Sequence, residues 1–168
     1  MAAEVEVRAF RAGDGEGCAR AWLDAARYYV DRDPENFQLP AEAGLAEWFE
    51  QARAGDGPPV LRLVATVAGQ VAGLVVATLE APLPDARFQL VSAAAVVRVY
   101  VNALVVAGRY RRTGVGTALM KAVERWGREH GAVLVALDTN IRSPLSVPFY
   151  EDRMGYLRHG VIFRKNLS

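Results

Sequence analysis

The chain has a single cysteine, Cys18, and only two lysines among its 20 basic residues. One cysteine excludes an internal disulfide and fits a reducing compartment such as the cytoplasm. Cys18 falls in a predicted helix with no neighbour that would activate a thiolate, so it reads as a small packing residue. A long apolar run is also missing. The richest stretch, Phe88 to Gly108, is interrupted by Arg98 and Asn102, and its valines suit a strand, so no membrane partner is expected. The first ten residues carry Glu4, Glu6 and Arg8 in place of a signal-peptide core. With a net charge of +1 and no Lys/Arg run, no nucleic-acid partner is expected either. Two phosphate-binding signatures are absent: no Gly-Lys-Ser/Thr ends a glycine loop, and there is no Gly-x-Gly-x-x-Gly. No metal site is expected.

What is present is 168 residues with 52% hydrophobic content, enough for one domain spanning residues 1–168 with a substantial core. The prevalence of Arg, Ala and Val points to a GC-rich bacterial genome. The small net charge hides an asymmetry. Residues 1–84 carry 7 basic and 13 acidic side chains, whereas residues 85–168 carry 13 and 6. Much of the acidity lies in Asp24, Asp31, Asp33, Glu35, Glu42, Glu47 and Glu50. These read either as ordinary solvent-facing helix positions or as a lining that favours a cationic ligand.

Periodicity predicts the element order. Val5–Phe10 alternates as a strand, followed by a helix from Asp14, as N-cap, to Val30. Asp33–Asn36 is a turn. A second helix runs over Ala41–Arg53 with Leu45, Trp48 and Phe49 on one face, and Gly55–Pro59 stops it. Val60–Ala68 and Val71–Glu80 form a hairpin around Gly69-Gln70. Further strands are expected at Ala93–Val106, Val133–Asp138, Tyr156–His159 and Val161–Lys165. A helix from Thr113 to His130 has Val115, Leu119, Ala122, Val123 and Trp126 on its apolar face. A last helix spans Ser143–Arg153, its start distorted by Pro148.

The most informative segment is Leu104 to Leu119, an apolar strand running into Tyr110-Arg111-Arg112-Thr113-Gly114-Val115-Gly116-Thr117 and then a helix. A helix start offers N–H groups with no partner inside the helix, and the dipole adds positive charge there. Gly114 and Gly116 let an anion reach the backbone, and Arg111 and Arg112 supply formal charge. Read alone, the same residues also suit a plain strand-to-helix turn with a solvated charge run.

This segment resembles the acyl-CoA-binding motif of the GCN5-related N-acetyltransferases (GNAT), matching at Leu104, Val106, Tyr110, Arg111, Gly114 and Gly116. Downstream, Phe149-Tyr150-Glu151-Asp152-Arg153-Met154-Gly155-Tyr156 is similar to that family's Phe-Tyr-Glu-x-x-Gly-Phe segment, with one extra residue before the glycine. The resemblance implies an α/β (α+β) fold: a mixed, mostly antiparallel sheet of six or seven strands with about four helices on both faces. It implies acetyl-CoA as co-substrate and a small-molecule or peptide amine as acceptor, in a monomer or homodimer. The phosphates would lie on Arg111, Arg112, Thr113, Gly114, Val115, Gly116 and Thr117. The pantetheine arm would run along Leu104, Val105 and Val106, beside a gap to the next strand, with Asn140 as a further contact.

The catalytic residues carried over are Tyr150, as proton donor to the leaving thiolate, and Asn102. Asn102 stands where many members place a glutamate base. Asn cannot accept the amine proton, so it would orient a water or the acceptor. Glu80 and Asp138 are alternative bases. Tyr28, Tyr29 and Phe37 line an acceptor pocket or simply pack a helix. A non-catalytic acyl-CoA sensor or interaction module is the rival reading that the Asn keeps open.

Overall fold

The structure is a computed structural model in which residues 4–54 and 60–167 are described. The expected helix stop at Gly55–Pro59 lies outside them. The chain divides into two compact units, one running to Leu137 and the other from Asp138 onward.

The first unit is built on one five-stranded sheet in the order β1-β2-β3-β4-β5. Strand β1 is Val5–Ala9, β2 is Val60–Val67, β3 is Gln70–Glu80, β4 is Arg98–Val106 and β5 is Leu134–Ala136. All neighbours are antiparallel except β4 and β5. The β2–β3 hairpin turns at Ala68-Gly69, one residue earlier than expected. Both residues take positive φ, 49° and 75°, as a type I′ turn requires.

Helix α1 is Gly15–Val30, α2 is Leu45–Ala54 and α3 is Val115–Glu129. Because side chains alternate across a strand, β3 presents two apolar faces to these helices. On one face Leu74, Val76 and Val64 meet Cys18, Ala19 and Leu23 of α1 with Leu45 and Phe49 of α2. On the other, Gly73 lies against Val115 and Leu119 of α3. Val64, Leu74, Val75, Leu119, Met120 and Val123 are fully buried. Cys18 is a packing residue here. Burial pushes its thiol up to about 12, with Asp14 and Glu50 adding to the shift.

The start of α1 differs from expectation in an informative way. Asp14 occupies the N-cap position, but its side chain makes no cap hydrogen bond. Both its oxygens are taken by Arg8, at 2.7 and 2.8 Å, and one also accepts the Arg11 N–H. The helix start is satisfied by Glu50 of α2, whose Oε1 accepts the N–H groups of Gly13 and Gly15 at 3.0 and 2.7 Å. Gly15 is required for that contact: a Cβ there would lie 2.5 Å from the Ala46 carbonyl oxygen. The acid expected to cap locally is bound to a strand, and a distant acid caps in its place.

Other boundaries move for local reasons. Helix α2 begins at Leu45, not Ala41, because Gly44 just before it is left-handed, with φ of 83°. Trp48 of that helix faces outward, 54% exposed, whereas Leu45 and Phe49 are buried. Strand β4 begins at Arg98, not Ala93, since Ser92–Ala95 coil into a 3-10 turn.

The second unit holds the three-residue helix α4, Ser146–Pro148, which runs into a π-helical turn at Phe149–Arg153. The Met154 N–H bonds back five residues to the Phe149 carbonyl. A π turn accommodates one more residue than an α turn, which absorbs the extra residue in this segment. The strands expected at Tyr156–His159 and Val161–Lys165 are absent, so the sheet has five strands in place of six or seven. Leu157 and Phe163 are each 91% exposed, without the paired neighbour a strand needs. Among the described residues no helix is long and apolar enough to cross a membrane.

Burial alone would raise the Asp14 carboxyl, but the Arg8 guanidinium and the Arg11 N–H outweigh it and hold the group below its ordinary value. The stabilisation is therefore full above the unfolded value near 3.9 and is lost as pH falls through the folded value. Asp14→Asn should cost about 1–3 kcal/mol at pH 7. In denaturant titrations the gap to wild type should narrow below about pH 4; a gap constant with pH would contradict this role.

Candidate active site

The site grows from β4, a valine-rich strand between two partners of unequal length. Against β3 it pairs from Arg98–Glu80 to Val106–Gly73, with one irregularity: Val76 stands opposite Ala103 and Ala77 opposite Val101. Asn102 is the extra residue of a β-bulge, a device that re-aims side chains. Against β5 the pairing covers only Arg98–Tyr100 with Leu134–Ala136. Past Tyr100, the edge carrying Leu104, Val105 and Val106 has no strand partner among the described residues. Outward-pointing backbone N–H and C=O groups on such an edge can pair with an amide-bearing ligand.

At the end of β4 a 3-10 turn, Gly108–Tyr110, leads to the helix. Its start is pinned from α1: the Gly108 N–H donates to the Asp24 carboxylate. Arg111 is pinned there too. Its Nε donates to the Val106 carbonyl at 3.2 Å, its Nη2 lies 3.4 Å from Asp24, and its guanidinium stacks 4.5 Å above the Tyr28 ring. Arg109 reaches the hairpin turn, donating to Gln70 Oε1 at 2.6 Å. The Thr113 hydroxyl donates to the Tyr110 carbonyl at 2.7 Å. Arg109 and Arg112 are both exposed, and of the three arginines Arg112 alone has no hydrogen bond, ion pair or ring contact among the described residues.

Arg112 and Gly114 both take positive φ, 62° and 94°, and swing the chain into α3. At Gly114 this conformation favours glycine. The first helical hydrogen bond runs from the Ala118 N–H to the Gly114 carbonyl, 2.9 Å. The N–H groups of Val115, Gly116 and Thr117 precede it and have no intrahelical acceptor. With the helix dipole and Arg112, they make a site suited to phosphate oxygens.

Around the bulge the chemistry is polar but poor in bases. The Thr78 hydroxyl donates to Asn102 Oδ1 at 2.8 Å. Glu80, a candidate base, is paired with the Arg98 Nε at 2.5 Å. Tyr28, Tyr29 and Phe37 form an aromatic ladder: Tyr28 meets Tyr29 edge-on at 5.4 Å, and Tyr29 stacks on Phe37 at 4.8 Å. The acidic residues of this region form no single lining. Asp24 and Glu50 are engaged by backbone N–H groups, whereas Asp31, Glu35, Glu42 and Glu47 are exposed.

In the second unit, Asn140 Oδ1 accepts the Arg142 N–H at 2.9 Å, and its carbonyl accepts the Ser143 N–H. Tyr150 sits in the π turn, with Phe149 and Tyr156 rings 5.1 and 5.8 Å away. Glu151 is paired with Arg158, whose hydrogen bond holds that carboxyl below its usual value.

Two contributors escaped the sequence reading. Asp24 was one acid among several, and its partner Gly108 is 84 residues away, beyond any spacing rule. Thr78 looked like an ordinary strand residue; only the bulge brings Asn102 to it.

The profile of the acetyltransferase (GNAT) family matches residues 14–156, a span that runs through both units. No curated protein matches. Solved structures share the fold at low identity. A variant of the BH1408 protein of Bacillus halodurans is 20% identical, with a TM-score of 0.78 over 96% of this chain and 99% of that one. A GNAT family acetyltransferase of Staphylococcus aureus is 16% identical, with a TM-score of 0.63 over 99% and 100%. Glucosamine-6-phosphate N-acetyltransferase of Arabidopsis thaliana is 12% identical, with a TM-score of 0.65 over 98% and 99%.

The Asp24 contacts yield a prediction. Asp24→Ala removes the acceptor for the Gly108 N–H and one of the three contacts that hold Arg111, without touching the helix-start amides. If this turn holds coenzyme A, affinity for it should fall about three- to tenfold, corresponding to roughly one hydrogen bond. Calorimetric titration of both proteins checks this, and unchanged affinity would mean the loop holds its shape unaided.

Proposed function

Because the chain belongs to the acetyltransferase (GNAT) family, we propose that it transfers an acetyl group from acetyl-CoA to a primary amine of a small molecule or peptide. Donor and acceptor bind together, and no covalent enzyme intermediate forms. The observation that carries this reading is the β4–α3 turn, where unbonded helix-start amides follow directly on an unpaired strand edge. A pyrophosphate joined to an amide-bearing arm needs those two features in that order.

In this reading the Val115, Gly116 and Thr117 amides hold the pyrophosphate, with Gly114 and Thr113 shaping the turn. Arg112 supplies an exposed cation. Arg111 acts through its contacts with Asp24 and Val106, keeping the turn in place. The edge of Leu104, Val105 and Val106 takes the pantetheine amides, and Asn140 is a further contact for the arm. Acetyl-CoA supplies a thioester carbonyl open to attack by an amine. The backbone amide near Val105 donates to the oxygen that gains charge. The Tyr150 phenol donates to the departing sulfur as charge builds there; with a phenol near 10 and a thiol near 8.5, full transfer is uphill by only about 1.5 pKa units, so the group acts chiefly by hydrogen-bonding the developing thiolate.

The acceptor amine must lose a proton. Asn102 cannot take it, and Glu80 is engaged by Arg98. In this reading a water relay or the solvent takes it. The same observation favours the second reading, an acyl-CoA-binding sensor without transfer; Tyr150 weighs against it, since binding alone needs no acid at the sulfur.

Release of CoA on mixing the protein, acetyl-CoA and a panel of primary amines tests the proposal. Saturable release with at least one amine is expected; binding of acetyl-CoA without release for any amine would favour the sensor. Gly116→Val should abolish acetyl-CoA binding. Tyr150→Phe should lower turnover about 10²-fold while leaving acetyl-CoA affinity unchanged, and unaffected turnover would make Tyr150 structural.

A further inference from the structure

The bulge leaves Asn102 exposed on the face of the sheet that also carries Thr78, Glu80, Arg98 and Tyr100. Thr78 is half-buried on β3, the strand held by neighbours on both sides along most of its length. Its hydroxyl hydrogen is committed to Asn102 Oδ1 at 2.8 Å. With the oxygen held, the carboxamide presents its NH2 group, which only donates. The one carboxylate on either strand, Glu80, is occupied by Arg98. Among the described residues these two strands therefore offer an approaching ligand a fixed hydrogen-bond donor and no carboxylate without a cationic partner.

Resting on the acetyl-transfer reading above, we propose that Thr78 and Asn102 form an acceptor-orienting pair. Thr78 holds the Asn102 carboxamide so that its NH2 donates to a carbonyl or carboxylate oxygen beside the acceptor amine. The acceptors selected are α-amino carbonyl compounds, such as amino-acid amides or peptide N-termini, in preference to simple alkylamines. Amine chemistry agrees with this choice. An α-amine of pKa about 7.7–8.0 is roughly 9–17% neutral at pH 7, whereas an alkylamine of pKa 10.4 is about 0.04% neutral. A site without an open carboxylate suits the acceptor that sheds its proton unaided. Thr78 is a positioning residue, since it acts through Asn102.

The test uses the intact protein, acetyl-CoA and matched amine pairs differing by the carbonyl group: L-phenylalaninamide with 2-phenylethylamine, L-leucinamide with isoamylamine, and L-lysinamide with cadaverine. Rates are compared at equal concentrations of neutral amine. Wild type should favour the amide of at least one pair by tenfold or more in kcat/KM. Thr78→Val should raise KM for that amide about three- to tenfold, leave the KM for acetyl-CoA within about twofold, and leave the matched amine unaffected. Thr78→Ser should restore the preference, and Asn102→Ala should abolish it, providing the same test if Thr78→Val does not fold. Equal effects on both members of a pair, no effect on either, or a wild-type preference for the simple amines would overturn the pair. Wild type that binds acetyl-CoA but transfers to no amine overturns the acetyl-transfer reading, and the pair with it.

Discussion

Three residues of parallel pairing tie β5 to β4, Arg98–Tyr100, while β4 itself continues to Val106. Beyond Tyr100, among the described residues, the strand pairs on its β3 side only. An edge held on one side alone keeps its geometry but leaves outward backbone groups unspent, which is a hazard in most sheets and a resource at a binding site. The bulge at Asn102 falls just where β5 stops pairing. The same strand then ends in the turn whose amides precede the first bond of α3. Edge, bulge and helix start are consecutive parts of one chain segment, so their relative placement depends on how β4 sits on β3.

That placement is braced from outside the segment. Asp24 on α1 holds the Gly108 N–H and the Arg111 guanidinium, and Gln70 at the hairpin turn holds Arg109. Two of the three arginines in the loop are thus structural braces, and the third, Arg112, stands at a left-handed residue with its charge exposed. In the proposed reading the loop receives a polyanion, and this division serves that better than three loose cations would. The braced pair fixes the amides, which act over hydrogen-bond distances, while the exposed cation adapts to the ligand.

Features set by near neighbours were legible in the sequence. The strand–turn–helix from Leu104 to Leu119, the apolar face of α3 and the β2–β3 hairpin all follow from local pattern and turn chemistry. The extra residue before Gly155 was visible too, although its accommodation as a π turn was not. What escaped depends on contacts between distant residues. Asp14 was expected to cap its own helix, yet Arg8 claims its carboxylate and Glu50 caps instead. The bulge at Asn102 arises from register between strands, and the Asp24–Gly108 bond from packing of α1 on the sheet's end. At the C-terminal end Val161–Lys165 was expected as a strand beside Gly160, but a local stretch supplies no partner, and the sheet stops at five.

The most direct test of the central claim, that the unbonded amides at the start of α3 are a pyrophosphate site, is a backbone amide NMR titration with coenzyme A. The account predicts saturable shifts largest at Val115, Gly116 and Thr117, and inorganic pyrophosphate alone should shift the same three amides. Saturable binding that leaves those three amides unmoved, or no binding by the folded protein, would contradict it.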